Sequence, residues 1–442
     1  MLTDYLELGG VEIANHARLR AYLGTVGSPL ASGDICGCPT FTAGLVGDAP
    51  YTTPEQDQAP WWDPNVPESA GFAGLLVLDV EGMPDHPVRR TVTGAAAGGA
   101  ALGPARVQAR TITVTGILLG ATCCAVEYGQ HWLAAALDGC AGGGCSGDAL
   151  TVFTCCPDAA MTPQEFTARH RRTLRRVALV DGPRELARAG DGCTSGECST
   201  GADIITVEFV LSAATPWLWT DPVPVLDVDA PTDSGGCVTW CVHPPSGGQP
   251  PGCADGCRLA ACTDPASACA DPSCRPAAPP VPAPPETCFC QALAVNADCY
   301  DLDLSARPNW AAAAPLITVA AGSSDLRRLT ITFYERRPGV HDGLTADQVA
   351  DAERCTPHSV YHVGYVPAGG IATLDGQIGR ALVECGGVSE SSPDVWGRDG
   401  GPPAWRPLDC HRDQYVVCVE ADAVFMPAQD ATVSIAVTGR GY

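Results

Sequence analysis

Hydrophobic residues recur at every second position in several well-separated stretches of the chain, the spacing that sends successive side chains to opposite faces of a β-strand. In "ARTITVTGILLG" (109–120), Ile112 and Val114 alternate with Thr111, Thr113 and Thr115. In "DIITVEFVLSAATP" (203–216), Ile205, Val207, Phe209 and Leu211 share one face, and Pro216 is expected to end the run. Between them the period changes. "AVEYGQHWLAAALDG" places Val126, Gln130, Leu133 and Leu137 at helical spacing, with Gly139 where a C-terminal cap would sit. "MTPQEF" announces a shorter helix, since Thr162, Pro163 and Glu165 supply an N-cap, an N1 proline and the partner of a capping box. That helix runs into "RHRRTLRRVALV", where Leu174, Val177 and Leu179 predict a strand.

The last third is patterned as β throughout. "LRRLTITFYE" sets Leu329, Ile331 and Phe333 against Thr330, Thr332 and Tyr334, and "QYVVCVEA" and "ATVSIAVTG" add two strands near the end. Turn clusters such as "VPAGG" and "RDGGPP" separate the strands, and no good helix pattern interrupts them, so a β-sandwich is expected. The fold class predicted is mainly β: a barrel or sandwich with one flanking helix, followed by a second sandwich. No repeat of solenoid or propeller period is present.

Composition divides the 442 residues into three parts: 1–220, 221–300 and 301–442. The ends carry the strand patterns. The middle holds 15 of the 39 prolines and ten of the 24 cysteines, but only two arginines and few large apolar residues, so it reads as a connector without its own core. "GCADGCRLAACTDPASACADPSC" (252–274) alone contains five cysteines. Two chemistries fit. Cys237/Cys241 and Cys253/Cys257 have internal spacings compatible with one zinc ion. Disulfides fit the counts better, since the three parts hold ten, ten and four cysteines, and "CAGGGC" and "CTSGEC" place Cys140/Cys145 and Cys193/Cys198 at the ends of short loops. Crosslinks worth ~2–4 kcal/mol each would keep a coreless segment compact. Its exit, "CRPAAPPVPAPPETCFC", is expected to run as an extended polyproline arm.

Charge narrows the function. The chain has 50 acids against 26 basic residues, all of them arginine, for a net charge of −24. Such a chain repels phosphate backbones and anionic lipid, so stable nucleic-acid binding and membrane insertion are not expected. No apolar run reaches the roughly 18 residues of a membrane-spanning helix. "MLTDYLELGGVEIANH" lacks the basic and apolar regions of a secretion signal, which predicts synthesis in a cytosol. Disulfides then require that the protein leave the cell by another route, as a virus particle does on lysis.

Signs of catalysis are missing. There is no G-x-S-x-G, H-E-x-x-H or G-x-x-x-x-G-K-[ST] motif, and a chain without lysine has no lysine base. Most of the nine histidines lie in loops or beside proline, as in "MPDHP", "VHPP" and "TPHS", where a solvated role is the common one. Asp301 and Asp303 form a carboxylate pair without a recognisable partner. "RHRRTLRR" gathers Arg169, Arg171, Arg172, Arg175 and Arg176 without interleaved aromatics for base stacking, which favours an acidic neighbouring subunit or solvent over nucleic acid. "PWWDP" and "TPWLWTDP" offer Trp61, Trp62, Trp217 and Trp219 either as sugar platforms or as buried anchors. No catalytic, cofactor or metal residue is assigned, and neither enzyme activity nor a cofactor is expected.

The N-terminal half resembles the distal tail proteins among the minor tail proteins of long-tailed phages infecting actinobacteria. The resemblance rests on "LELGGVEIANHARLRAYL", "ARTITVTGILLGATCCAVEYGQHWLAAALDG" and "VEFVLSAATPWLWTDP", and in the last third on "LRRLTITFY" and "VPAGGIATLDGQIGRALVEC". It covers about two thirds of the chain. It implies a tail-tube-like N-terminal fold with a flanking helix and a galectin-like C-terminal sandwich. The role it implies is a virion adaptor at the siphophage tail tip, assembled in the host cytoplasm as a ring, usually a hexamer. That ring would join the tail tube protein to the tail-tip hub and tape measure proteins around a channel for DNA. An acidic wall agrees with DNA sliding past. The Cys/Pro-rich middle departs from simpler members. The alternative is a virion module that binds host cell-wall glycan.

Overall fold

A computed structural model describes residues 2–28, 30, 37–138, 147–190, 203–232, 237–241, 288–292, 295–305, 311–409 and 414–441. The protein is mainly β, built of antiparallel sheets that do not close into a barrel among these residues. The chain forms two compact units, Met1–Pro222 with Thr438–Tyr442, and Val223–Val437.

Seven strands make the main sheet of the first unit: β1 (Leu2–Leu8), β2 (Val11–Asn15), β3 (Phe72–Glu81), β8 (Arg110–Gly120), β9 (Asp148–Phe153), β10 (Arg171–Gly190) and β11 (Asp203–Trp219). Their order is β2-β1-β9-β10-β11-β8-β3, every neighbour antiparallel. Four short strands rise between β3 and β8: β4 (Val88–Arg89), β5 (Val92–Gly94), β6 (Ala100–Leu102) and β7 (Arg106–Val107). The alternating faces found in the sequence are the core faces. Ile112 and Val114 of β8 and Ile205, Val207, Phe209 and Leu211 of β11 are buried in one cluster with Leu8, Ile13, Leu75 and Val152. Pro216 does not end β11. The strand runs on to Trp219 because the β10 ladder is irregular opposite this region, where a missing proline N–H breaks no regular pair.

Helix α2 (Cys123–Leu137) lays Val126, Leu133 and Leu137 on that core, and Thr122 caps it by accepting from the Ala125 N–H. It ends at Asp138; Gly139, the expected cap, lies outside the described residues. Helix α3 (Pro163–His170) has both halves of the capping box expected from Thr162 and Glu165. Helix α1 (His16–Thr25) was not announced by periodicity. It is capped by Asn15, whose side chain accepts from the Ala17 and Arg18 N–H groups, and its Leu19, Tyr22 and Leu23 cover Ala73 and Leu119 on the sheet face opposite the main core.

The second unit is a sandwich. One sheet joins β12 (Val223–Asp229), the part of β24 (Thr432–Gly441) up to Val437, β16 (Ala312–Ala320), β19 (Ile371–Asp375), β20 (Arg380–Cys385) and β21 (Val388–Ser391). The other runs β15 (Val295–Asp303), β23 (Gln414–Asp422), β17 (Leu326–Glu335), β18 (Ser359–Val366) and β22 (Val395–Trp396). Ile317, Val319, Leu374, Val433 and Ile435 meet Leu329, Ile331, Phe333, Tyr361, Val417 and Val419 between them. A fourth helix, α4 (Ala346–Glu353), covers the outer face at Tyr334 and Val416. The strand-rich pattern concealed it, although Thr345 and Gln348 form a capping box. A separate hairpin pairs β13 (Cys237–Cys241) with β14 (Cys288–Ala292), Cys241 opposite Cys288.

Disulfides join Cys38 to Cys156 and Cys299 to Cys418. The second links directly opposed residues of β15 and β23 across 119 positions of sequence. Cys140, Cys145, Cys193 and Cys198, the 252–274 stretch with Cys253 and Cys257, and the proline arm lie outside the described residues.

Two stability predictions follow from this packing. A Cβ at Gly129 of α2 would overlap the Phe72 ring, itself boxed in by Trp61 and Trp132. Gly129→Ala should therefore cost about 1–3 kcal/mol by overpacking, overriding the ~1 kcal/mol gained in helix propensity, as a lowered melting temperature will show. Replacing Cys299 and Cys418 together by alanine should cost roughly 2–5 kcal/mol in chemical denaturation, because the link closes a long loop in the unfolded chain.

Candidate interaction surfaces

Among the described residues, the first unit leaves a long sheet edge open. β10 has 20 residues, but β9 pairs only with 171–177 of it; beyond Val177, β11 is its only strand partner among the described residues. Among the described residues the stretch 178–190, interrupted by Pro183, therefore has no strand on one side, and Val180 is 58% and Leu186 50% exposed. Charges brace it. Arg184 pairs with Glu208, and Arg188 reaches Glu185 at 3.2 Å, the buried Asp203 at 3.1 Å and Glu127 at 3.8 Å.

The arginine cluster predicted from "RHRRTLRR" flanks the start of this strand and is not a uniform patch. Arg169 and Arg176 are exposed, while Arg171, Arg172 and Arg175 are half-buried. Arg171 lies 3.7 Å from Asp221, and burial lowers the pKa of Arg172.

A second protrusion is the arm between β3 and β8. Its root is fixed by Arg110, 1% exposed, which donates to the carbonyls of Gly82, Met83 and Pro216. Gly82 is required there: its φ is +78°, and a side chain would strike the Thr111 carbonyl. Above the root, β4 pairs with β7 and β5 with β6, and every residue of 89–109 except Gly103 is exposed.

The tryptophans divide by burial. Trp61 is 3% exposed, donates to the Phe72 carbonyl at 3.0 Å and packs edge-on against Phe72 and Trp132; Trp219 is 2% exposed. Neither indole offers a face to a sugar. Trp217 is half-buried beneath the Arg440 guanidinium, 4.1 Å from its ring centre. Asp301 pairs with Arg336, and Asp303 accepts from the Ser305 N–H, so the two carboxylates serve the end of β15 separately.

Of the predicted loop histidines, His86 is exposed, His243 lies outside the described residues, and His358 is half-buried against Tyr415 with its pKa lowered by burial. No local pattern singles out His16. It follows β2 at 1% exposure, its Nε2 accepts from the Val77 N–H of β3 at 3.1 Å, and its Nδ1 lies 3.6 Å from Asp4. The ring thus bridges the two terminal strands of the sheet, β2 and β3, where no ladder joins them. Glu353 contacts His341 at 3.1 Å and also Arg337 and Thr356, which braces the turn around α4. Among the described residues no group of three or more His, Cys, Asp or Glu is placed to hold a metal ion, and no helix is long and apolar enough to cross a membrane.

No protein family and no curated protein sequence matches the chain. Among solved structures it is similar to the Dit protein of phage SPP1, described as a paradigm of the hub adsorption apparatus in phages infecting Gram-positive hosts. That similarity has 12% identity, covers 85% of this chain and 96% of that one, and has a TM-score of 0.34. It is also similar to a chain of the phage p2 baseplate in its activated conformation with Sr, at 7% identity, covering 85% and 92%, with a TM-score of 0.35.

Burial holds the His16 pKa below its ordinary value, against the opposing pull of Asp4 and with Arg20 adding to the lowering. The unfolded chain therefore takes up the proton first. Stability of the first unit should be full above about pH 6.5 and fall as the pH drops below that value, because a proton on Nε2 displaces the Val77 hydrogen bond. Melting curves between pH 7.5 and 5 should show that loss, and His16→Gln, which keeps an acceptor but cannot titrate, should flatten it.

Proposed function

We propose that this chain is a structural, non-enzymatic phage tail-tip adaptor whose first unit assembles into a ring. The observation that carries the ring is the open β10 edge. A long strand with a free hydrogen-bonding side and exposed Val180 and Leu186 is suited to adding a strand from a sister copy. The phage setting rests on the sequence resemblance to distal tail proteins. On that reading, six copies surround a channel for DNA in the virion and join the tail tube protein to the hub and tape measure proteins. The second unit then offers its sandwich to receptor-binding parts.

Two further features support the assignment. A net charge of −24 lets DNA pass without being held. Disulfides suit a particle that works outside the cell.

Class averages of the purified full chain should show closed rings. Val180→Lys with Leu186→Lys places two charges on the open edge and should reduce the assembly to monomers in light scattering, with the melting temperature little changed. A wild-type chain that stays monomeric at every concentration would overturn the ring.

A further inference from the structure

Charge is segregated within the first unit in a way its internal contacts do not use. Residues 21–88 contain nine acids and no arginine, whereas 86–126 contain Arg89, Arg90, Arg106 and Arg110 and no acid. Arg110 is spent on the root of the arm; the other three sit on the arm, exposed, with no carboxylate partner among the described residues. Asp79, Glu81 and Asp85 stand near the root, yet none forms an ion pair with them.

The arm also lacks a core of its own. Val92 lies opposite Leu102 and Val88 opposite Val107 in ladders of two or three residues, and Val92, Leu102 and Val107 are 63%, 68% and 42% exposed. A two-stranded hairpin without a covered face is marginal in water, so a surface that covered these apolar pairs would stabilise it.

The acidic complement is a loop at the opposite end of the same strand. Residues 48–71 are held over the start of β3 by Trp61 and by Arg18, which binds Glu12 at 2.8 Å, Asp48 at 3.5 Å and Asp57 at 3.8 Å. Glu55 and Glu68 remain exposed on the loop and unpaired among the described residues. β3 has ten residues, so the loop and the root of the arm are about 30 Å apart, and the exposed arm does not lie on its own loop.

We propose that the arm of one copy docks on the 48–71 loop of a second copy, placing Arg89, Arg90 and Arg106 against Glu55 and Glu68 and covering Val92 and Leu102. This rests on the ring reading and gives it direction. Arm on loop is a head-to-tail contact between different patches, the kind that closes a ring when the rotation allows. A second copy fits better than DNA, since three arginines on a chain of −24 give little net attraction for a duplex and the apolar pair needs protein to cover it.

The test uses three full-length proteins in sedimentation velocity at low and moderate salt: wild type, Arg89→Glu/Arg90→Glu/Arg106→Glu, and Glu55→Arg/Glu68→Arg. The changed residues are exposed, so circular dichroism should match wild type. Each variant alone should associate at least tenfold more weakly, and an equimolar mixture of the two should recover assembly, because the reversed charges again complement one another. An arm variant that keeps the wild-type assembly overturns the docking while leaving the ring intact. A mixture that fails to recover also counts against it, as does arm-dependent retention of duplex DNA by the wild type. A monomeric wild type removes the ring and the docking together.

Discussion

An open antiparallel sheet must do something with each of its edges, and the first unit solves this differently at each place. At the seam between β2 and β3, the His16 ring takes a backbone N–H of β3 in place of a neighbouring strand. The sheet can then curl around a single apolar core without completing a barrel. The cost is a neutral imidazole in a dry site, and the neighbouring Asp4 carboxylate, which also accepts from the Cys38 N–H at 2.5 Å, fixes the approach of the next loop. Farther along, the β10 edge is left open, braced by ion pairs rather than covered.

Both units bury more than one face of their strands. In the first, α1 seals the side of β3 and β8 away from the core, and a small aromatic cluster of Tyr5, Phe41, Phe153 and Phe166 forms beneath α3, where Cys38 and Cys156 are joined. In the second, α4 covers the outside of the β15-β23-β17 sheet beside the Cys299–Cys418 link. Covalent staples thus stand next to the minor clusters, where apolar burial is least, and the main cores are held by packing.

Surface chemistry follows the same division of labour. Acids dominate the chain, and within the first unit arginines act as braces on β10, as the buried clamp Arg110, as the Arg18 tie to Glu12, and, without a carboxylate partner among the described residues, on the arm. On a chain of net charge −24, local basic sites are where a like-charged surface meets least repulsion.

Strand periodicity, the Thr162 capping box and the α2 stripe were legible in the sequence because each depends on neighbours within a few residues. The fold class followed from them. α1 and α4 were not legible, since His16–Thr25 and Ala346–Glu353 are short helices whose apolar residues are matched to a sheet face, not to a periodic stripe long enough to stand out. Nor did local pattern reveal that Pro216 sits inside a strand, that Trp61 and Trp219 are core residues rather than ligand platforms, or that His16 bridges the sheet. Residues 61 positions apart, His16 and Val77, are brought together only when the sheet curls. The sequence by itself determined which segments would be strands and what charge they would carry. Tertiary structure alone decided which edge stayed open and which side chains were left without a partner, because those are properties of contacts between segments distant along the chain.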